Sequence, residues 1–128
     1  MDSSRIAAFP DFAALPAEEL DELAASLREV EIEAGANVIT ADDYGTAIYL
    51  IEQGEADVVE GSREPNTVAT GDVVGEIGLL LTGQRTATVV ARTPMRLLSL
   101  SGQDFDRIRA RVPEVERTLR RLGLERTA

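Results

Sequence analysis

The chain has 128 residues, the size of one domain, and its composition excludes several functions. It contains no histidine and no cysteine, which removes imidazole bases, thiol nucleophiles, disulfides and nearly all zinc, copper and iron ligands. The net charge of −10 opposes binding to nucleic acid, because a protein must neutralise phosphates to bind DNA.

The hydropathy pattern indicates a soluble globular protein. Apolar residues make up 44% of the chain and charged residues 28%. Apolar runs reach at most five residues, so we expect no membrane span. Because the first residues, "MDSSRIAAFPDF", do not have the basic start and apolar stretch of a secretory signal, we expect a cytoplasmic protein.

The first element predicted along the chain is an amphipathic helix in "LPAEELDELAASL", residues 15–27. Leu20, Leu23, Ala24 and Leu27 recur at helical spacing, and acids follow Pro16 in the first turn. This segment belongs to an expected N-terminal helical part, residues 10–29.

From residue 28 the apolar pattern changes to a period of two, which predicts β-strands. Val30 and Ile32 alternate with acids, and Val38 begins another strand. "AIYLIEQGEADVVE" predicts two strands joined at Gly54 as a hairpin. "TATVVAR" and "MRLLSL" predict two more. Short strands separated by glycine turns favour a sandwich or roll over residues 30–100.

The C-terminal region, residues 104–124, predicts two helices. Phe105, Ile108 and Val112 fall on one face of the first, and Pro113 permits a new start. Val115, Leu119 and Leu122 form an apolar stripe along the second, which should fold over the roll or pair with another chain. The complete order, helix, strands and then helices, predicts one mainly β domain over residues 1–128.

Charge is unevenly distributed along the chain. Residues 105–128 contain seven arginines and four acids, so the rest of the chain carries about −13. This arginine-rich tail is interpreted as a solvated helix face, or as a surface that meets a partner or an acidic region of the same chain.

The stretch "GEIGLLLTGQRTA", residues 75–87, carries the chemistry. It begins after a predicted strand with a short helical segment, 75–81, whose N-terminus attracts anions. Gly75 lets a ligand approach the backbone. Arg85 can hold a phosphate with its planar donors, and Glu76 can accept hydrogen bonds from sugar hydroxyls. An anion clamp beside a hydroxyl acceptor suits a phosphorylated sugar.

These residues resemble the phosphate-binding cassette of cyclic-nucleotide-binding domains, an antiparallel β-roll of jelly-roll type with flanking helices. The family pattern is Phe-Gly-Glu, a small residue and Leu, then a spacer and Pro-Arg-x-Ala. This chain has Val74 for the Phe and Gln84 for the Pro. The positions that correspond to the cassette, and that we expect to bind the ligand, are Val74, Gly75, Glu76, Ile77, Gly78, Arg85, Thr86 and Ala87.

The resemblance implies a role for most of these positions. Arg85 would pair with the cyclic phosphate and Glu76 would receive the ribose 2′-hydroxyl. Backbone N–H groups at Ile77, Thr86 and Ala87 would complete the phosphate cradle. The ligand would be cAMP or cGMP, and Thr86 does not decide between them.

Two function classes follow from this resemblance. The first is a non-catalytic sensor whose ligand moves the C-terminal helices, which then signal to an effector protein or a second copy. The second keeps the β-roll as an interaction scaffold without nucleotide. A cyclic-nucleotide hydrolase ranks third, because the chain has no histidine. Considered without the rest of the motif, Arg85 would be interpreted as a structural arginine that pairs with a carboxylate. We expect no metal, no membrane contact and no DNA-binding domain in this chain.

Overall fold

A computed structural model describes residues 1–39, 47–61, 64, 66–75 and 87–127. Its helices are α1 (Ser4–Ala7), α2 (Ala17–Ser26), α3 (Gly102–Arg111) and α4 (Pro113–Thr127). Its strands are β1 (Arg28–Ile32), β2 (Asn37–Ile39), β3 (Ala47–Gln53), β4 (Glu55–Val59), β5 (Asn66–Ala69), β6 (Val73–Val74), β7 (Thr88–Ala91) and β8 (Met95–Ser101). The predicted short helix at 75–81 falls on residues outside this description, apart from Gly75.

The eight strands form two four-stranded sheets. Sheet A has the order β1-β8-β3-β6, and sheet B has the order β2-β7-β4-β5. Every strand pairing in the described part of the chain is antiparallel. The predicted antiparallel β-roll with N-terminal and C-terminal helices is confirmed.

Sheet A is covered on both faces, which explains why β3 reads as a continuous apolar run. Ile48 and Leu50 point into a core shared with the helices, whereas Tyr49 and Ile51 point between the sheets. The helix-side core consists of Ile6, Phe9, Phe12, Leu20, Leu23, Ala24, Leu27, Ile48, Leu50, Val73, Leu98, Leu100, Phe105, Ile108, Val112 and Val115. The inter-sheet core consists of Ile39, Ile51, Ala56, Val68, Val74, Val89, Ala91, Met95 and Leu97.

The two helix predictions with the clearest apolar spacing are confirmed. Helix α2 buries three of the four predicted apolar positions in the helix-side core, and the fourth, Leu27, is buried there directly after the helix ends. Helix α3 buries Phe105 and Ile108, and its N-terminus is capped because the Ser101 hydroxyl accepts the Asp104 N–H at 3.1 Å. Pro113 begins α4, as its fixed φ favours at a first helical position.

The predicted hairpin at Gly54 is wrong. Strands β3 and β4 form where predicted, but they belong to different sheets and do not pair with each other. Gly54, with φ of +114°, instead takes the chain around a corner from sheet A to sheet B. The corner is held by Thr93, whose hydroxyl accepts the Glu55 N–H at 3.0 Å.

The N-terminal segment contributes core residues that the pattern analysis did not predict. Ile6, Phe9 and Phe12 are each at most 3% exposed and pack beneath α2 and α3 in the helix-side core. Helix α1 has only four residues, too few to show an apolar period. The segment therefore acts as part of the helical layer on sheet A.

The C-terminal helices fold back onto the same layer. Val115 is 1% exposed in the helix-side core, while the side chains of Leu119 and Leu122 lie outside the description. The arginine-rich tail does meet an acidic region of its own chain. Arg111 pairs with Glu22 at 3.3 Å, and Arg121 pairs with Asp11 at 3.3 Å.

No helix in the described part of the chain is long and apolar enough to cross a membrane.

Candidate functional site

The structure fixes both ends of the predicted cassette. Val74 is the last residue of β6, Gly75 follows it directly, and Ala87 precedes β7. The other five predicted residues, Glu76, Ile77, Gly78, Arg85 and Thr86, lie outside the described residues.

The incoming end of the cassette is held by both cores. Val73 belongs to the helix-side core and Val74 to the inter-sheet core, because successive side chains of a strand point to opposite faces. Both valines are at most 2% exposed. Val74 lies opposite Tyr49 on the neighbouring strand. Gly75 then takes a φ of +94°, a conformation that favours glycine, so its place in the motif matches a backbone requirement.

A tight turn before β6 sets the position of this end. The Asp72 carboxylate accepts the Ala69 N–H at 2.8 Å, and the Asp72 carbonyl accepts the Ile51 N–H at 2.8 Å. The Gly71 N–H donates to the Ile51 carbonyl at 2.9 Å, with Gly71 at φ of +97°. Motif reasoning missed Asp72, although the "TGD" turn signal at 70–72 marks it.

The outgoing end of the cassette enters the interior of sheet B. Strand β7 lies between β2 and β4, with Thr88 opposite Val59 and Val89 opposite Ile39. Val89 is buried in the inter-sheet core. The cassette therefore starts from an edge strand of sheet A and returns to a central strand of sheet B.

Tyr49 is a candidate site residue that motif reasoning also missed. It lies directly across from Val74, and its half-buried ring packs against the inter-sheet core. A tyrosine combines an apolar ring with a hydroxyl that can donate and accept hydrogen bonds. The alternation of "AIYLI" identifies the strand but gives no sign that this position faces the start of the cassette.

A charged network lies on the helix side of sheet A. Arg5 donates through Nε to Glu52 at 2.7 Å and through Nη2 to Glu29 at 2.6 Å, and Arg96 Nε donates to Glu52 at 2.6 Å. The hydrogen bond from Arg5 holds the pKa of the Glu52 carboxyl below its usual value and raises the pKa of Arg5. These contacts attach α1 to sheet A.

No group of three acids in the described ranges is placed to hold a metal ion.

Comparison with known proteins identifies the family of the domain. The sequence model of the cyclic nucleotide-binding domain matches residues 29–112, which include the whole cassette. A cyclic nucleotide-gated potassium channel of Rhizobium etli is 33% identical over 94% of this chain and 34% of its own length. The cAMP-dependent protein kinase regulatory subunit of Yarrowia lipolytica is 40% identical over 70% of this chain and 24% of its own length.

Solved structures share the fold. The catabolite activator protein of Thermus thermophilus aligns with a TM-score of 0.82 and 28% identity, over 92% of this chain and 58% of that one. The regulatory subunit of a cAMP-independent protein kinase A from Trypanosoma brucei aligns with a TM-score of 0.78 and 28% identity, over 97% and 44% respectively. The chain spans about a third of the channel and a quarter of the Yarrowia subunit.

Proposed function

We propose, because the chain belongs to the cyclic nucleotide-binding domain family, that it is a regulatory module which binds a cyclic nucleotide without turning it over. The observation that carries the proposal is the family match over residues 29–112, which contains both polar anchors of the cassette, Glu76 and Arg85. The domain would comprise residues 1–128 and act in the cytoplasm.

Each anchor has a separate chemical role. Arg85 would bind the cyclic phosphate through its guanidinium, and Glu76 would accept the ribose 2′-hydroxyl. Backbone N–H groups of Ile77, Thr86 and Ala87 would donate to the phosphate oxygens. The firmly packed ends at Val74 and Val89 support this assignment, because a cradle discriminates only when its backbone is preorganised.

We favour cAMP over cGMP as the ligand. The Yarrowia relative is named as cAMP-dependent, and Thr86 by itself suits either purine. Relatives of both the kinase and channel classes indicate that domains of this family are used in more than one kind of protein. The effector of this chain, a partner protein or a second copy, would be reached through the C-terminal helices.

The packing around β6 supports a signal that travels to those helices. Val73 lies in the helix-side core together with Phe105 and Ile108 of α3. The next residue of β6, Val74, lies in the inter-sheet core. A shift of the cassette on binding would therefore displace a side chain of the core that α3 also enters. Because a close-packed core resists small displacements, α3 would move in response.

The alternative function is an interaction scaffold that binds no nucleotide. One observation favours it: the Trypanosoma neighbour with the same fold is named as part of a cAMP-independent kinase. In this alternative Arg85 would pair with a carboxylate of the chain.

Titration of the folded protein with cAMP, cGMP and 2′-deoxy-cAMP separates the two functions. Arg85→Ala should weaken binding by about 2 to 5 kcal/mol, which is well over tenfold. Glu76→Gln should cost about 1 to 2 kcal/mol and should reduce the penalty for the missing 2′-hydroxyl. Arg28→Ala is the matched control, because Arg28 is exposed on β1 and makes no ion pair in the described part of the chain.

Two results decide against the sensor. Absence of saturable binding to the native protein would favour the scaffold. Binding that is equally strong in Arg85→Ala and Arg28→Ala would place the ligand outside the cassette. Nucleotide product that accumulates in proportion to protein would contradict the non-catalytic role.

A further inference from the structure

A cleft of about 530 Å³ lies at the opposite end of β3 from the cassette. It is lined by residues 31–34, by Gln53 and by residues 94–96. Strand β6 pairs with Tyr49 and Leu50 and leads into the cassette towards the start of β3, whereas Gln53 is the last residue of that strand. The cleft therefore lies at the other end of β3 from Val74, where the described chain leads into the cassette.

The cleft has an apolar floor and one rigid wall. Met95 is 3% exposed, and Ile32 packs partly buried against the inter-sheet core. Behind them, Gly54 lies so close to the 94–95 backbone that a Cβ there would be 2.8 Å from the Pro94 carbonyl oxygen. This wall can keep its shape when a ligand binds.

Strand β1, which ends in the cleft, has one open edge. It is an outer strand of sheet A, and β8 is its one neighbour among the described strands. An outer strand presents unpaired N–H and C=O groups to which another extended segment can add. The open edge of β1 therefore runs into the cleft at Glu31 and Ile32.

At the cleft end of this edge two carboxylates have no partner, and the other end of β1 begins with the exposed Arg28. Glu31 lies directly opposite Arg96, but Arg96 Nε donates to Glu52 at 2.6 Å instead. Within the described residues, neither the Glu31 nor the Glu33 carboxylate has a hydrogen bond or an ion pair. Two exposed carboxylates therefore line the cleft, and no cation in the described part of the chain pairs with either of them.

We propose that the open edge of β1 and this cleft bind an extended basic segment of a partner protein. The segment would add to sheet A as a strand, with cationic side chains at alternate positions, because alternate residues of a strand share a face. Its cationic side chains would lie on the face of Glu31 and reach the carboxylates of Glu31 and Glu33, and the residues between them would lie on the opposite face, beside Ile32.

The charge of the molecule selects such a partner over a second copy of the chain. Two copies of the chain would repel each other, because each carries a net charge of −10. A basic strand would relieve this repulsion.

The probe is a fluorescent ten-residue peptide of alternating arginine and threonine, titrated by anisotropy against the full chain at about 0.15 M salt. Glu31→Gln/Glu33→Gln should weaken binding about tenfold. The matched control, Glu18→Gln/Asp21→Asn, removes the same charge from exposed positions of α2 and should change affinity by less than about twofold. Hydrogen exchange of the β1 amides should slow when the peptide is present. Circular dichroism verifies that both variants are folded.

Four results would overturn the proposal. The first is an equal loss of affinity in the two double variants. The second is equal binding by a peptide with the same composition but its arginines in one block. The third is displacement of the peptide by 1,5-diaminopentane at similar concentration, which would indicate a small-amine site. The fourth is a dimer of the peptide-free chain that Glu31→Gln/Glu33→Gln abolishes.

Discussion

Substitution of Gly54, at the corner between the sheets, should destabilise the fold for two separate reasons, backbone strain and steric overlap. Gly54→Ala would place a Cβ 2.8 Å from the Pro94 carbonyl oxygen and 2.8 Å from Met95 Cγ. Neither contact is easily relieved, because Met95 is 3% exposed in the inter-sheet core and the carbonyl belongs to the backbone of the neighbouring turn. That turn is fixed because the Arg92 N–H donates to the Glu55 carbonyl at 2.9 Å.

The magnitude follows from these two costs. An alanine at φ of +114° costs about 1 to 2 kcal/mol in backbone strain. The overlap with a fixed carbonyl adds about 1 to 3 kcal/mol. We therefore expect Gly54→Ala to lower the free energy of unfolding by about 2 to 5 kcal/mol, a large part of the stability of a domain of this size.

Gly35→Ala is the matched control. Gly35 has φ of +88°, and no atom lies within 4 Å of its added Cβ, so the control carries the strain without the overlap. Urea denaturation followed by far-UV circular dichroism should give a free energy of unfolding about 1 to 3 kcal/mol lower for Gly54→Ala than for Gly35→Ala, with unchanged m-values. Equal destabilisation of the two variants would refute the close packing of the corner.

Two further predictions concern contacts that hold α1 and β6. Glu52→Gln should cost about 1 to 2 kcal/mol at pH 7, because it weakens hydrogen bonds from Arg5 and Arg96, whereas Glu31→Gln should cost almost nothing. Since the folded pKa of Glu52 is lowered, this stabilisation is complete above the unfolded pKa and is lost as pH falls through the folded pKa, so the gap between native protein and Glu52→Gln should narrow in acid. The Asp72 carboxylate fixes the turn before β6, so Asp72→Ala should lower the free energy of unfolding, measured by urea denaturation, by about 1 kcal/mol. The same variant should bind nucleotide more weakly. An unchanged affinity would show that this turn does not position the cassette.

The strands could be predicted from the sequence because their apolar alternation is local. Val30 and Ile32 alternate with acids, and "AIYLI" is apolar on both faces because β3 is covered on both sides. The pairing of strands could not be predicted in the same way. The two-residue alternation shows which side chains of one strand share a face. It does not show which other strand pairs with that strand.

Gly54 shows this limit at one residue. A glycine between two apolar runs is typical of a hairpin, and the same residue also suits a corner between sheets. The choice depends on contacts with residues 93–95, about forty positions later in the chain. Helix α1 was missed for a related reason, since Ile6 is buried by distant partners and not by a helical repeat of its own.

The candidate site could be predicted as a motif, and the structure describes the residues at its two ends. Gly75 has a positive φ, which glycine adopts easily. Val74 stands where the family pattern has phenylalanine, and although its side chain is smaller it is almost completely buried, with 1% exposed. The roles of Glu76 and Arg85 stay predictions. Asp72 and Tyr49 could not be found from the motif, because one acts through a turn and the other through a neighbouring strand.

The position of β6 between the two cores has a consequence for how a ligand would act. Val73 packs with the helices and Val74 packs between the sheets, so a strand of two residues connects both hydrophobic cores just before the cassette. The helical layer that receives Val73 includes α1 and α2 as well as α3, and Arg121 of α4 reaches back to Asp11. A displacement that began at Gly75 would therefore be shared by the N-terminal segment and the C-terminal helices, because both pack on the same face of sheet A. An effector that contacts either of them could respond to the nucleotide.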